Sequence, residues 1–417
     1  MTSFKKLTGA ALALSLATSS ALYATNGDTL VGVGAKTRSM GGAGIAFSHG
    51  AESTLVNPAL ITHVQDTEIS FGGTIFMPDV HTDLTANTAG GPVSDSGDSD
   101  ADLSMIPAVA IVSHFDNGVY IGAGMYGTAG MGTDFRGLGA SNWMPGNKKL
   151  FDMETTLQLM QFVVPVAYKT GGLSIGIAPI VQYGSLDIHY EMNGPGGKPG
   201  IVSPGQKQDF GVGASLGAIY DFGNGLSVGA VYKSKVKMDY GNTLTAAAAP
   251  FGINLDGHLD QPAEYGIGLG WRYGPHGIAI DWKRIQWGHA AGYEDFGWDD
   301  QNVFAVGYQY DAGTWSLRLG YNHGKTPITL YNSNNPGLAA KDMFNLLGFP
   351  ATAEDHITAG GTYQFSKNFS ADFTVVYALN EKNDADVGAV FGYPKNAVTI
   401  HNEHKELGLS IQLNYKF

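Results

Sequence analysis

The side chains best suited to chemistry are few, and their spacing argues against most reactions. His401-Asn-Glu-His404 brings two imidazoles and a carboxylate together, but it lacks the HExxH pattern of a zinc site and falls in a predicted outer loop. The acidic run Asp95-Ser-Gly-Asp98-Ser-Asp-Ala-Asp102 could take a calcium ion or bridge to lipopolysaccharide through divalent cations, and reads more simply as a solvated loop. The cluster Gly41-Gly-Ala-Gly44 does not have dinucleotide-loop spacing, and no strand precedes it. With no cysteine in the chain, disulfides, thiolate catalysis and Cys-based zinc sites are excluded. No nucleophile emerges with a base at a useful spacing. We therefore expect no catalytic residue, metal or cofactor.

Composition narrows the class further. The 417 residues include 59 Gly, 20 Tyr and 20 Phe, but only 15% are charged, a β-rich and turn-rich profile with too little charge for an ordinary soluble surface. A net charge of −13 argues against nucleic acid, whose phosphates need a basic stripe. Mean hydropathy is −0.05, and past the N-terminus no apolar run approaches the length of a helical span. Alternating strands can cross a membrane with such an average.

The last stretch carries that alternation most clearly. From Leu407 to Phe417 every odd position is apolar or aromatic, and the even positions are Gly, Ser, Gln, Asn or Lys. Successive strand side chains point to opposite faces, so one face is greasy and the other polar. A regular aromatic strand at the terminus suits a closed barrel, in which the final strand pairs with the first and no edge remains.

Read in order, residues 1–24 form a secretory signal, with Lys5 and Lys6 before the apolar run Leu7 to Ala17 and cleavage after Ala24. Residues 25–66 show neither clean alternation nor helical spacing. Glycines break them into turns, and they close on a stiff Asn57-Pro58 corner. Fourteen alternating runs follow, at 67–77, 102–113, 118–133, 155–168, 173–190, 208–221, 226–240, 262–273, 277–288, 301–311, 314–322, 355–366, 369–380 and 405–417. Short hairpin turns such as Phe222-Gly-Asn-Gly225 alternate with connections of some twelve to thirty residues. That asymmetry is expected of an all-β, transmembrane antiparallel barrel of about 14 strands with tight periplasmic turns and long outer loops. In the fifth run the apolar parity switches between Tyr183 and Leu186, which predicts a bulge near Gly184-Ser185. Tyr220, Tyr232, Trp271, Tyr273, Trp282, Trp287, Trp315 and Tyr415, near run ends, read as interfacial girdles. Parity turns Arg318 inward, away from Leu317 and Leu319.

These features together resemble the FadL-type outer-membrane transporters of long-chain fatty acids and their relatives that import aromatic hydrocarbons. The resemblance runs from about Thr25 to Phe417. It is most specific at Asn57-Pro-Ala-Leu60 and the Gly-rich block Gly32 to Gly44, and is supported by Trp315-Ser-Leu-Arg-Leu-Gly320, His356 to Tyr363 and the terminal strand. It implies that residues 25–66 fold into the lumen as a plug and residues 67–417 form the barrel. It also implies a plug corner at Asn57, Pro58 and Ala59, and lateral exit of cargo where the third strand kinks near Gly124, Gly127 and Gly130. Those glycines have a second reading, as room made for the plug. The apolar loop residues Trp143, Met144, Leu150 and Phe151 would catch a greasy ligand first. For a carboxylate cargo Arg318 is the leading inward cation, ahead of Lys36, Arg38 and Lys283, although it could equally pair with Asp281 or Asp372. The implied partners are a long-chain fatty acid or another hydrophobic small molecule together with outer-membrane lipid and lipopolysaccharide, the implied state is a monomer, and the location is the bacterial outer membrane. From another class, a barrel-type outer-membrane lipase is the alternative.

Overall fold

The computed structural model describes residues 25–137, 152–193 and 199–417. Fourteen strands form the wall. They are β1 (Glu68–Thr88), β2 (Ser104–His114), β3 (Val119–Met131), β4 (Asp152–Val163, resumed at Val166–Thr170), β5 (Leu173–Asn193), β6 (Lys207–Asp221) and β7 (Leu226–Lys233). The circuit continues with β8 (Glu264–Tyr273), β9 (His276–Ile285), β10 (Gln301–Asp311), β11 (Trp315–Gly324), β12 (Asp355–Gln364), β13 (Phe369–Asp386) and β14 (Val398–Lys416). Each pairs antiparallel with its neighbours, and β14 closes on β1 from Val398–Ala86 down to Lys416–Glu68. The Phe417 amide adds one more bond to the Thr67 carbonyl, so the terminal strand leaves no free edge.

The alternation read from the sequence is the alternation of the wall. Along β8, Tyr265, Ile267, Leu269, Trp271 and Tyr273 face out while Gly266, Gly268 and Gly270 face in; along β13, Phe373, Val375, Tyr377 and Leu379 face out. These outer rows make an apolar belt that suits lipid, and the ladder satisfies the backbone inside it. Trp287 is an exception to the girdle: it lies fully buried between Tyr293 and Trp298, because β9 ends at Ile285 and the chain folds over the mouth of the barrel.

The predicted bulge near Gly184-Ser185 does not form. Both ladders of β5 run through these residues in unbroken register. The parity switch has another cause: Ile175, Ile177 and Val181 face out low on the strand, whereas Leu186, Ile188 and Tyr190 face in higher up. The strand has risen past the lipid belt, and its apolar side chains turn to a core inside the mouth. The acidic run is likewise not a loop up to Asp98. Beyond its belt residues β1 continues outward and returns as the strand Gly91–Asp98.

That mouth core is closed by outer connections that carry structure of their own. Pro336–Leu347 forms a helix capped by the Asn335 side chain on the amides of Gly337 and Leu338, and Asn242–Ala248 forms a shorter one. Phe344, Leu347 and Leu244 from these helices pack with Tyr190, Leu157, Met238 and Trp298. The outer half of the lumen is thus apolar and filled.

Candidate functional site

The site is built from residues 25–66 and the inner wall. Almost every residue from Thr25 to Val64 is buried, and the segment touches inward side chains of strands right round the circuit. The Gly44 and Ile45 amides donate to Asp281 Oδ2 on β9, the Gly41 amide to Thr358 Oγ1 on β12, and the Ala35 amide to Gln412 Oε1 on β14. Asn322 of β11 donates to the Gly41 carbonyl, and Thr62 Oγ1 reaches Ser174 on β5. A segment bonded to all sides of a closed cylinder lies within it. Wall glycines make the approach possible: a Cβ on Gly320 would stand 2.1 Å from the Gly41 nitrogen, and one on Gly307 2.5 Å from Met40 Cβ.

Asn57, Pro58 and Ala59 form the lower corner of this segment. Asn57 Nδ2 donates to the Ile45 carbonyl at 2.8 Å and to Ala230 of β7 at 3.3 Å, while its Oδ1 accepts from the Ala59 amide at 3.0 Å. Pro58 opens the short 3-10 helix Pro58–His63, where its lack of an amide proton costs nothing. Its backbone packs against Gly176 of β5.

Two of the expected cations, Arg318 and Lys36, are engaged by carboxylates. Arg318 does face inward, where its Nε donates to Gln309 at 2.8 Å, its Nη2 to Thr362 at 2.8 Å, and its Nη1 stands 3.6 Å from Asp372. Of the two acidic partners considered, Asp372 is the one it meets; Asp281 instead holds the Gly44 and Ile45 amides. Lys36 lies 3.8 Å from Asp372 and 4.0 Å from Glu68. Burial alone would lower its pKa, but Asp372, Glu68 and Glu52 hold it above the ordinary value. Glu52, a residue the sequence did not single out, accepts from the Thr37 amide and hydroxyl at 2.6 Å and from Gln412 at 2.7 Å. Burial raises its pKa. Nothing in the local pattern around Glu52 signals this role, because its partners come from a helix turn 15 residues away and from the last strand.

The third strand departs from regular geometry where the family resemblance placed a kink. The β2–β3 ladder runs from His114–Tyr120 only to Ala108–Tyr126, although β2 stays paired with β1 as far as Ser104. From Tyr126 to Met131 every residue is buried, so alternation stops and the strand turns into the lumen. Its register against β4 slips between Gly127 and Ala129. There the N-terminal ribbon (Thr25–Asn26 with Thr29–Leu30) takes the place of β2: Thr29 pairs with Ala129, and the Gly130 amide donates to the Asp28 carbonyl at 3.0 Å.

The three glycines serve differently. A Cβ on Gly124 would meet Thr54 Oγ1 of the segment at 2.8 Å, which is the room-making role. One on Gly127 would meet Ile106 Cγ2 of β2 at 2.7 Å, across the end of the ladder, and Gly130 bonds the ribbon. Tyr126, the last paired residue, is tied to the segment through Thr54 Oγ1 at 2.6 Å and the Glu52 carbonyl at 3.2 Å.

A cavity of about 80 Å³ lies behind this opening, between Leu30, Val33, Ile45 and Leu55 of the segment and Ile180, Val231 and Ile285 of the wall. Thr128 and Ala129 form its edge on β3, and the Lys233–Glu264 ion pair (2.8 Å) with Lys283 forms a polar end. The ribbon above it is pinned by Asp28, which accepts from Tyr293 and from Gln261 Nε2 at 3.0 Å. Burial pushes the Asp28 carboxyl up to about 6 against the pull of those bonds. Thr29, Thr37, Gln161, Ser234 and Gln261 line it as well, so polar and apolar groups share its surface. Trp143, Met144, Leu150 and Phe151 lie outside the described residues. Gly-x-Ser-x-Gly, the spacing of a hydrolase elbow, occurs at Gly172–Gly176, Gly213–Gly217 and Gly225–Gly229, but each serine sits within a wall strand and not at a strand-to-helix turn.

Comparison with known proteins agrees with this geometry. Residues 11–273 match the family model described as outer membrane protein transport protein (OMPP1/FadL/TodX), and residues 185–384 match a Gram-negative porin model. Among solved structures, a FadL homologue of Pseudomonas aeruginosa is 14% identical with a TM-score of 0.70, the alignment covering 94% of this chain and 100% of that one. The Pseudomonas putida toluene transporter TodX is 18% identical (TM-score 0.68, 94% and 100% covered), as is the Ralstonia pickettii toluene transporter TbuX (TM-score 0.63, 93% and 99%). At these identities the likeness is one of fold. A search of curated proteins found no match.

Proposed function

Because the chain belongs to the outer membrane protein transport family (OMPP1/FadL/TodX) and is an outer-membrane β-barrel, we propose that it carries hydrophobic molecules inward by lateral exit. In this reading cargo is caught by the outer loops, passes the plug formed by residues 25–66 and leaves sideways between β2 and β3. The observation that carries it is the premature end of the β2–β3 ladder at Ala108–Tyr126, with the next residues of β3 buried against the N-terminal ribbon.

The physical reason is simple. A lumen this wide needs a stopper, and apolar cargo gains about 25 cal/mol per Å² by leaving water. A side opening into lipid therefore serves it better than an aqueous pore. Long-chain fatty acids and related compounds are the first cargo class. Aromatic hydrocarbons are the second, favoured by the toluene transporters among the structural relatives. We place residues 1–24 as the signal, assign no catalytic role, and take the working form as a monomer in contact with lipopolysaccharide. Uptake of labelled oleate and toluene by a strain lacking the gene tests the reading: at least one should enter several-fold more slowly, and normal entry of both would refute it.

A further inference from the structure

The outer helix Pro336–Leu347 ends without a left-handed cap. Gly348 follows it at φ −101° and ψ −39°, a right-handed conformation, so no such turn takes up the carbonyls that the helix itself leaves unpaired. The wall takes three of them instead. Asn402 of β14 donates to the Leu346 carbonyl at 3.2 Å, Thr133 Oγ1 donates to the Leu347 carbonyl, and Thr155 Oγ1 to the Gly348 carbonyl. All six residues are buried. Thr133 stands two residues past the end of β3, and Thr155 lies on β4. The Thr155 amide donates to the Thr133 carbonyl at 2.9 Å and the Thr133 amide to Thr155 Oγ1 at 3.2 Å, so the two threonines move as one. The helix is fixed further by Asn345, whose Nδ2 donates to the Phe296 carbonyl and whose Oδ1 accepts from Trp298 Nε1, both at 2.9 Å.

The outer end of β3 and β4 is therefore bonded to an element inside the mouth, whereas β2 above Ala108 has no strand on its β3 side among the described residues. We infer that Thr133 and Thr155 are positioning residues for transport: through the helix they hold the outer end of β3 inward, off β2, and so keep the side opening from closing. The inference rests on the transport reading above. Unpaired backbone groups along the edge of β2 favour rejoining the ladder. Against this stand the two hydroxyl-to-carbonyl bonds, since breaking either leaves a buried carbonyl without a donor.

Spin labels on Met105→Cys of β2 and Arg136→Cys beyond β3, both exposed positions in a chain without cysteine, report the spacing in the purified full chain. With Thr133→Val and Thr155→Val added, which keep nearly the same shape and drop the donor, the labels should draw several ångströms closer. Cellular uptake of labelled oleate or toluene should fall several-fold in the valine pair. Thr133→Ser with Thr155→Ser keeps both hydroxyls and should keep the original spacing and uptake. Unchanged spacing in the valine pair, or the same shift in the serine pair, would overturn the positioning role and leave lateral exit standing. Closer labels with undiminished uptake would support the hold on β3 and count against lateral exit itself. Heat-modifiable migration reports whether the valine pair folds; if it does not, Thr133→Val alone is read by the same distance.

Discussion

Asn57 joins the two halves of the N-terminal segment to the wall with one side chain. Its amide serves the Ile45 and Ala230 carbonyls while its oxygen caps the turn that Pro58 begins. Asn57→Ala removes the cap and leaves the buried Ile45 carbonyl short of a donor, a loss of about 1–3 kcal/mol confined to the segment. Uptake should fall several-fold while heat-modifiable migration of the barrel is unchanged; loss of the barrel band would make the corner a folding element instead. Asp28 gives a pH signature. Its pKa rises from 3.8 unfolded to about 6 folded, so it contributes stability fully present below about pH 4 and lost as pH rises through 6. Protection of the Gly130 amide, corrected for intrinsic exchange, should drop across that window and stay flat above it, and Asp28→Asn should abolish the drop.

At the scale of elements, β3 and the outer extension of β1 do different work. The glycines of β3 announced weak pairing, and that much was legible locally. Where the strand leaves its neighbour was not, because it depends on Thr29 and Asp28, about a hundred residues earlier, replacing β2 as the partner. The parity switch in β5 was visible but misassigned: alternation alone does not distinguish a slipped register from a strand that has risen out of lipid. The helix Pro336–Leu347 went unread because it packs into the mouth core, and only the fold supplies that apolar surroundings. In the outward extension, His81 bonds Asp98 and His401 bonds Asp384, each at 2.6 Å. Those bonds raise both imidazoles above 6.5. Their support is present below that value and lost as pH rises through the raised ones. Limited proteolysis should cut the Thr88–Gly91 tip faster at about pH 8.5 than at about pH 5.5, and Asp98→Asn with Asp384→Asn should remove the difference.

For the whole molecule, strand number, closure and turn positions followed from period-two alternation and from Gly, Asn and Asp in short connections, since both are local properties. The charge network of Lys36, Glu52, Arg318 and Asp372 was only half visible: parity turned Arg318 inward and offered Asp372 as a partner, but Lys36 and Glu52 join them from the N-terminal segment, which no local pattern signals. The wall and the segment fit each other through glycines, and this makes a global prediction. At Gly320, where a Cβ would stand 2.1 Å from the Gly41 nitrogen, Gly320→Leu cannot coexist with the seated segment. The barrel should still form, but cells should take up large hydrophilic antibiotics several-fold faster, because the lumen is no longer stopped; unchanged permeability would mean the segment is not the stopper.

The side opening is tested most directly by closing it. The chain has no cysteine, so Ile106→Cys with Gly127→Cys places one thiol pair across the end of the β2–β3 ladder, where a Cβ on Gly127 would already stand 2.7 Å from Ile106 Cγ2. Oxidation of this double variant should stop uptake of hydrophobic cargo and reduction should restore it, with each single variant unaffected by either treatment. Uptake that continues unchanged through the oxidised, cross-linked protein would contradict lateral exit between β2 and β3.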